Sequence, residues 1–144
     1  MTHSIVIQDV TSTEKWDKIF HYLLSMCNEF TVTFPKGEYD KENPLMGGKK
    51  EFDSLENLKV DKSLDLRDGI LLSGKLNADS KKLFEQFMEP SYDGFKPMLW
   101  HFSLLKDNNL ILEVSDFTVC VLEKTEPLLL FLNKADISIS SLES

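Results

Sequence analysis

Apolar residues recur along this chain at two spacings, and the change from one spacing to the other marks its elements. Ile5, Val6 and Ile7 are β-branched and apolar, so a short strand is predicted over residues 4–10. Trp16, Ile19, Phe20, Leu23, Leu24 and Cys27 follow at steps of three and four, on one face of a helix over about residues 13–28. Thr11 and Glu14 have capping-box spacing at its start, where each side chain can satisfy the other's free backbone N–H. Period two then takes over. Phe30, Val32 and Phe34 alternate with Thr31 and Thr33, the pattern of a half-buried strand, which Pro35 and Gly37 end.

From residue 36 to 67 the chain is charged and poorly periodic, punctuated by Asn43-Pro44 and Gly47-Gly48. A stretch of that length is either a functional loop or a set of short elements, and Phe52, Leu55 and Leu58 are placed to anchor a short helix in it. A strand over residues 70–76 follows the turn at Asp68-Gly69. Asp79 stands where it can cap a helix over residues 80–88 whose apolar face is Leu83, Phe84, Phe87 and Met88. Pro90, Gly94 and Pro97 mark a loop. Trp100, Phe102 and Leu104 then alternate with His101, Ser103 and Leu105. A second strand covers residues 110–116, and Phe117, Val119 and Val121 suggest a third. Thr125 is a plausible N-cap for a helix over residues 126–134, with Pro127 tolerated in its first turn. The expected fold is α+β, a single domain over residues 1–144 with a mostly antiparallel sheet, a C-terminal three-strand meander and about three helices packed against it.

Burial decides the register of the last hairpin. A three-residue loop at 107–109 pairs Lys106 with Leu110, Leu104 with Leu112 and Phe102 with Val114, so large apolar residues share a face. A two-residue turn that sets Leu104 opposite Glu113 mixes the faces. Because a slip of one residue reverses every side chain, the first register is expected. Ser103 then lies opposite Glu113 and His101 opposite Ser115, on the more polar face.

Composition narrows the partners. A hydrophobic fraction of 42% and a charged fraction of 28% are those of a globular chain, so disorder is not expected. The net charge is -8 and the pI about 4.8. Arg67 is the sole arginine among the basic residues, and arginine is the side chain best shaped to grip phosphate. Nucleic acid and anionic membranes are therefore unexpected partners, and a basic protein is the expected one. Ile5-Val6-Ile7 is too short for a secretion signal, and Leu128 to Leu132 is the longest fully apolar run. Cytoplasmic location is expected, with Cys27 and Cys120 as buried free thiols.

No pattern for catalysis emerges. Gly47-Gly48-Lys49-Lys50 lacks the first glycine and the final Ser or Thr of a phosphate-binding loop, since Asn43 and Lys50 stand there. His3, His21 and His101 have no metal-ligand spacing, and no Gly-x-Ser-x-Gly elbow is present. His101 is expected diagonally from Glu113, where a carboxylate would favour the protonated imidazole. That pair supports the alternative of a small enzyme or ligand-binding domain. A plain cross-strand contact is the simpler expectation, because no nucleophile accompanies it. No metal, cofactor or enzymatic activity is expected. Acids are concentrated late in the chain, where residues 107–144 carry seven against Lys124 and Lys134. Tyr39 and Tyr92, set among acids in loops, are of the aromatic type that anchors interfaces.

The run Trp100-His101-Phe102-Ser103-Leu104-Leu105-Lys106-Asp107-Asn108-Asn109-Leu110-Ile111-Leu112-Glu113-Val114-Ser115-Asp116 resembles the meander of small bacterial immunity proteins, which protect a cell against its own polymorphic or contact-dependent growth-inhibition toxins. The likeness covers less than a quarter of the chain and is one of style and size. It implies a cytoplasmic single domain that binds one cognate toxin and blocks its active site or a neighbouring surface. The acidic balance adds that the toxin domain is basic. Candidate partner-binding residues are Glu38, Tyr39, Asp40 and Glu42 in the irregular segment, and Asp107, Glu113 and Asp116 in the meander.

Overall fold

Large apolar side chains gather on one side of the strands that hold Ile5, Phe30, Phe102, Leu112 and Leu122, and that choice organises the sheet. A computed structural model of the chain describes residues 4–7, 14–40, 42–62, 69–88, 99–115 and 119–143. Among these residues the strands are β1 (Ser4–Ile7), β2 (Glu29–Pro35), β3 (Lys59–Lys62), β4 (Gly69–Lys75), β5 (His101–Lys106), β6 (Asn109–Ser115) and β7 (Val119–Glu123). They form one sheet in the order β1-β7-β6-β5-β2-β4-β3, and each neighbouring pair is antiparallel. The helices are α1 (Glu14–Met26), α2 (Lys49–Asp53), α3 (Ala78–Met88), α4 (Glu126–Lys134) and α5 (Ile139–Glu143), with a 3-10 turn at Pro44–Met46. The fold is α+β. The expected meander is β5-β6-β7, extended by β1 on one side and by β2, β4 and β3 on the other. The helices beyond the expected three are α2, a short helix that holds Phe52 but ends before Leu55 and Leu58, and α5, a single turn too short to show a period. Thr11, residues 8–10, the 90–97 loop with Tyr92, and Asp116 lie outside the described residues.

One face of the sheet carries Ile5 and Ile7, Phe30, Val32 and Phe34, Phe102 and Leu104, Leu112 and Val114, and Cys120 and Leu122, all buried. Helices cover it. Phe20 of α1 meets Phe102 edge-on at 6.1 Å. Phe84 of α3 lies 5.4 Å from Phe30 and 5.2 Å from Phe102, and Phe52 of α2 lies 5.8 Å from Phe30. Such tilted and edge contacts suit the ring quadrupoles. Trp16 donates its indole N–H to the Met88 carbonyl at 3.1 Å, tying α1 to the end of α3. Tyr22 stacks on Phe131, which brings α4 against α1. Trp16, Phe20, Leu23, Val32, Phe102, Leu104, Leu112 and Val114 all fall in this one buried cluster, as the periodicity predicts.

The caps are partly as expected. Thr125 Oγ1 accepts from the Leu128 N–H at 3.3 Å and starts α4. Asp79 does not cap α3. Asn77 Oδ1 accepts from the N–H groups of Asp79 and Ser80 at 3.0 Å each, and Ser80 Oγ accepts from the Asn77 N–H at 2.9 Å. The helix therefore starts two residues earlier, with a reciprocal box that Asn and Ser supply as well as Ser and Glu do.

The β5–β6 hairpin also corrects an expectation. Its turn has two residues, Asp107 and Asn108, at φ 50 and 69. Two successive positive φ values make a turn whose twist matches paired strands, and Asp and Asn tolerate that region best after glycine. Lys106 therefore pairs with Asn109 and Leu105 with Leu110. A β-bulge then absorbs Ile111, after which Leu104 faces Leu112, Ser103 faces Glu113 and Phe102 faces Val114. The apolar pairs are those expected, reached by a different turn.

Cys27 and Cys120 are free and buried. Burial pushes the Cys27 thiol up to about 11, against a weaker opposing pull from Lys106, and raises Cys120 as well. Among the described residues, no helix is long and apolar enough to cross a membrane.

The bulge separates the roles of two nearby leucines. Leu112→Ala is expected to destabilise the fold by about 2–5 kcal/mol in urea unfolding, because it empties a fully enclosed site. Leu110→Ala, on the other face and 47% exposed, is expected to cost less than about 1 kcal/mol. Equal losses would contradict the bulged register.

Candidate functional site

The segment after β2 is built around a buried lysine. Lys49, the first residue of α2, is only 3% exposed. Its ammonium donates to the Pro35 carbonyl at 2.8 Å and to the Gly37 carbonyl. These carbonyls satisfy donors that burial would otherwise leave unpaired. The bonds reach back fourteen and twelve residues and fix the point where the chain leaves β2. Gly48, before α2, sits at φ 89, and a Cβ there would come 2.7 Å from Leu99 Cδ2. The backbone angle favours glycine there, and any Cβ would also force the Leu99 side chain to shift.

Between these anchors the loop bonds to itself. Asp40 Oδ1 accepts from the Glu42 N–H at 2.9 Å, and the Asp40 carbonyl accepts from Asn43 at 3.1 Å. Asn43 Oδ1 accepts from Leu45 at 3.0 Å, and the Asp40 N–H points at Met46 Sδ at 3.1 Å. Glu38, Asp40 and Glu42 are exposed, and Tyr39 stands among them with 47% of its surface open. The four candidate residues of this segment are thus together on one tied loop.

The meander candidates are elsewhere. Asp107 is a turn residue. Its Oδ1 accepts from Asn28 Nδ2 at 2.9 Å while its N–H donates to Asn28 Oδ1 at 3.1 Å. Asn28 immediately precedes β2, whereas Glu38 follows its far end, and a strand of this length spans about 20 Å. Asp107 and the Tyr39 loop therefore lie at opposite ends of the strands. Glu113 is half-buried on the face away from the helices, opposite Ser103 on β5 and Val121 on β7. Its carboxylate accepts from Ser115 Oγ at 3.4 Å. Asp116 lies outside the described residues.

That second face has a polar, enclosed centre. The Thr31 and Ser103 hydroxyls bond to each other across β2 and β5. His101 faces Thr33 in the next row and is 8% exposed, with the Trp100 ring 5.4 Å from its imidazole. His101 stands diagonally from Glu113, at a Cα distance of roughly 7 Å for that lattice position. Thr33 is 1% exposed, and its Oγ1 has no hydrogen-bond partner among the described residues. His21 is a surface residue of α1, 3.3 Å from Asp17 and 3.8 Å from Glu85. Among the described residues no group of three or more His, Cys, Asp or Glu side chains is placed to hold a metal ion.

A cleft of about 420 Å³ opens where β2 begins and β4 ends, against the capped start of α3. Glu29, Glu56, Lys59, Lys75 and Asp79 line it with charges of both signs, and neither His101 nor Glu113 is part of it. Sequence spacing gives no sign of this cleft, because its walls come from four separate elements. Lys49 is equally hidden in the sequence, since its burial depends on where the β2 carbonyls end.

In comparisons with known proteins, no family model, no curated protein and no solved structure matches the chain.

The orphan hydroxyl gives a direct test of the second face. A buried, unpaired donor costs free energy that an isosteric methyl does not. Thr33→Val is expected to leave stability unchanged or raise it by up to about 1 kcal/mol in urea unfolding. A loss of that size would show that the hydroxyl has a partner in solution.

Proposed function

We propose that this chain is a cytoplasmic immunity-type protein that binds a basic bacterial toxin domain and blocks its active site or an adjacent surface. The observation that carries the reading is the grouping of Glu38, Tyr39, Asp40 and Glu42, where an exposed tyrosine stands among three exposed carboxylates beside the anchor of Lys49 and the hydrogen bonds of Asp40. A loop held in place loses little conformational freedom on binding, so more of the contact energy appears as affinity. Tyrosine supplies a large amphipathic contact with few rotatable bonds. The carboxylates draw a cationic surface, and the net charge of -8 extends that attraction over the encounter. Occupation of a toxin's site in this way needs no chemistry from the inhibitor itself.

The meander acids have a supporting part. Asp107 holds the hairpin turn through Asn28, so its replacement disturbs the fold as well as the charge. Glu113 lies on a different surface from the loop and contributes to the field that steers a basic partner.

The test uses a toxin-like domain encoded directly upstream of this chain, if its gene neighbourhood holds one, with association measured against salt. The association rate is expected to fall by about tenfold or more between low and high ionic strength. Glu38→Gln, Asp40→Asn and Glu42→Gln together should lower it further and flatten its salt dependence. Tyr39→Ala should speed dissociation by about tenfold, with folding checked independently. An association rate indifferent to salt, and a complex tolerant of both sets, would exclude this loop as the inhibitory surface.

A further inference from the structure

The bulge in β6 does more than keep the core in register. Leu110 pairs with Leu105, which belongs to the face away from the helices, while Leu112 returns to the core face opposite Leu104. The extra residue, Ile111, lies between them. Leu110 and the bulged Ile111 both border one depression on the sheet, although Ile111 also belongs to the buried core cluster. Beside them on β7 stand Val121 and Glu123, and Glu113 faces Val121 across the strand pair. These five residues line a depression of about 270 Å³. Ile111 forms its buried floor, and Leu110 is an exposed wall.

The chemistry of the lining is specific. Apolar groups make the floor and wall, and among the described residues the lining carries two carboxylates and no cation. Glu113 lies opposite Val121, and Glu123 lies two residues further along the same strand, so the Cα atoms of the two glutamates stand diagonally at about 7 Å. A long side chain with an aliphatic stem and a cationic end is complementary to that arrangement. Guanidinium suits a partly enclosed site better than ammonium, because it is less strongly hydrated and offers donors on several sides to two acceptors.

We propose that this depression binds an arginine side chain of a partner protein, with the stem on Leu110, Ile111 and Val121 and the guanidinium between Glu113 and Glu123. The inference goes beyond the inhibitor reading, since it concerns a different surface and requires no toxin. Glu123, absent from the candidates suggested by sequence, is here a recognition residue. Glu113, considered beside His101 as part of a polar site, acts with Glu123 instead.

The experiment is a titration of the isotopically labelled full chain, followed through its amide resonances. N-butylguanidinium serves as the arginine probe, n-butylammonium as the lysine probe and n-butylurea as the uncharged control. Saturable shifts are expected at residues 110–113 and 121–123 with the guanidinium, and weaker binding with the ammonium and the urea. E113Q/E123Q should weaken guanidinium binding by about fivefold, the loss expected for two solvent-exposed ion pairs. Leu110→Thr keeps both charges while removing the apolar wall, and it should also weaken binding; this variant decides the matter if the double variant does not fold. Shifts spread over surface acids elsewhere, or a response unchanged in the variants, would overturn the site. Equal or tighter binding of the ammonium would overturn the arginine assignment. None of these results depends on whether the Tyr39 loop inhibits a toxin.

Discussion

The two-residue turn at Asp107–Asn108, continued into an unbroken strand, would set Leu104 opposite Ile111 and Phe102 opposite Glu113. A carboxylate would then face the helices from the middle of the sheet, and Leu112 and Val114 would face away. Burying an unpaired charge is among the costliest changes a core can undergo. The bulge at Ile111 removes that conflict by advancing the strand one residue. Phe102, Leu104, Leu112 and Val114 can then meet α1 and α3, and the aromatic cluster from Phe20 to Phe84 can close over them. The rest of the sheet follows this strand pair. β2 takes its register from β5 and β7 takes its register from β6.

The parts of the fold legible in the sequence are those with a sustained period. The stripe from Trp16 to Leu24 predicts α1 because five buried positions agree on one face. Phe30, Val32 and Phe34 predict β2 in the same way, and the apolar pairs of the last hairpin are right because only one register buries them. The turn is wrong because two solutions reach that register. A three-residue loop achieves it directly, and a two-residue turn achieves it with a bulge. The positive φ values of Asp107 and Asn108 suit the second, but an Asp-Asn-Asn run permits either. The cap of α3 is misplaced for a similar reason: Asn77 and Asp79 are both competent caps, and the choice rests on Ser80 bonding back to Asn77. β3 has four exposed residues and no apolar period, so only its pairing with β4 reveals it.

The candidate site is legible in part. Glu38, Tyr39, Asp40 and Glu42 are close in sequence and remain together in the fold, because the loop that carries them is tied locally. Asp107 and Glu113 share a hairpin but not a task. The first fastens a turn to Asn28, and the second belongs to the sheet face with Val121 and Glu123. The placement of Lys49 under the β2 carbonyls, and of Leu110 beside Ile111, depends on backbone geometry that residue spacing does not encode. The acidic charge of the chain is consistent with both surfaces, but their geometry differs: one presents an aromatic group outward and the other forms a receiving depression.

The cross-strand contacts of the β5–β6 hairpin test this account most directly, since core register and the second face both depend on them. Nuclear Overhauser contacts between backbone protons in solution are the measurement. The account predicts Leu105 facing Leu110 and Leu104 facing Leu112, with Ile111 unpaired between them. Contacts that place Leu104 opposite Ile111 and Phe102 opposite Glu113 would contradict it.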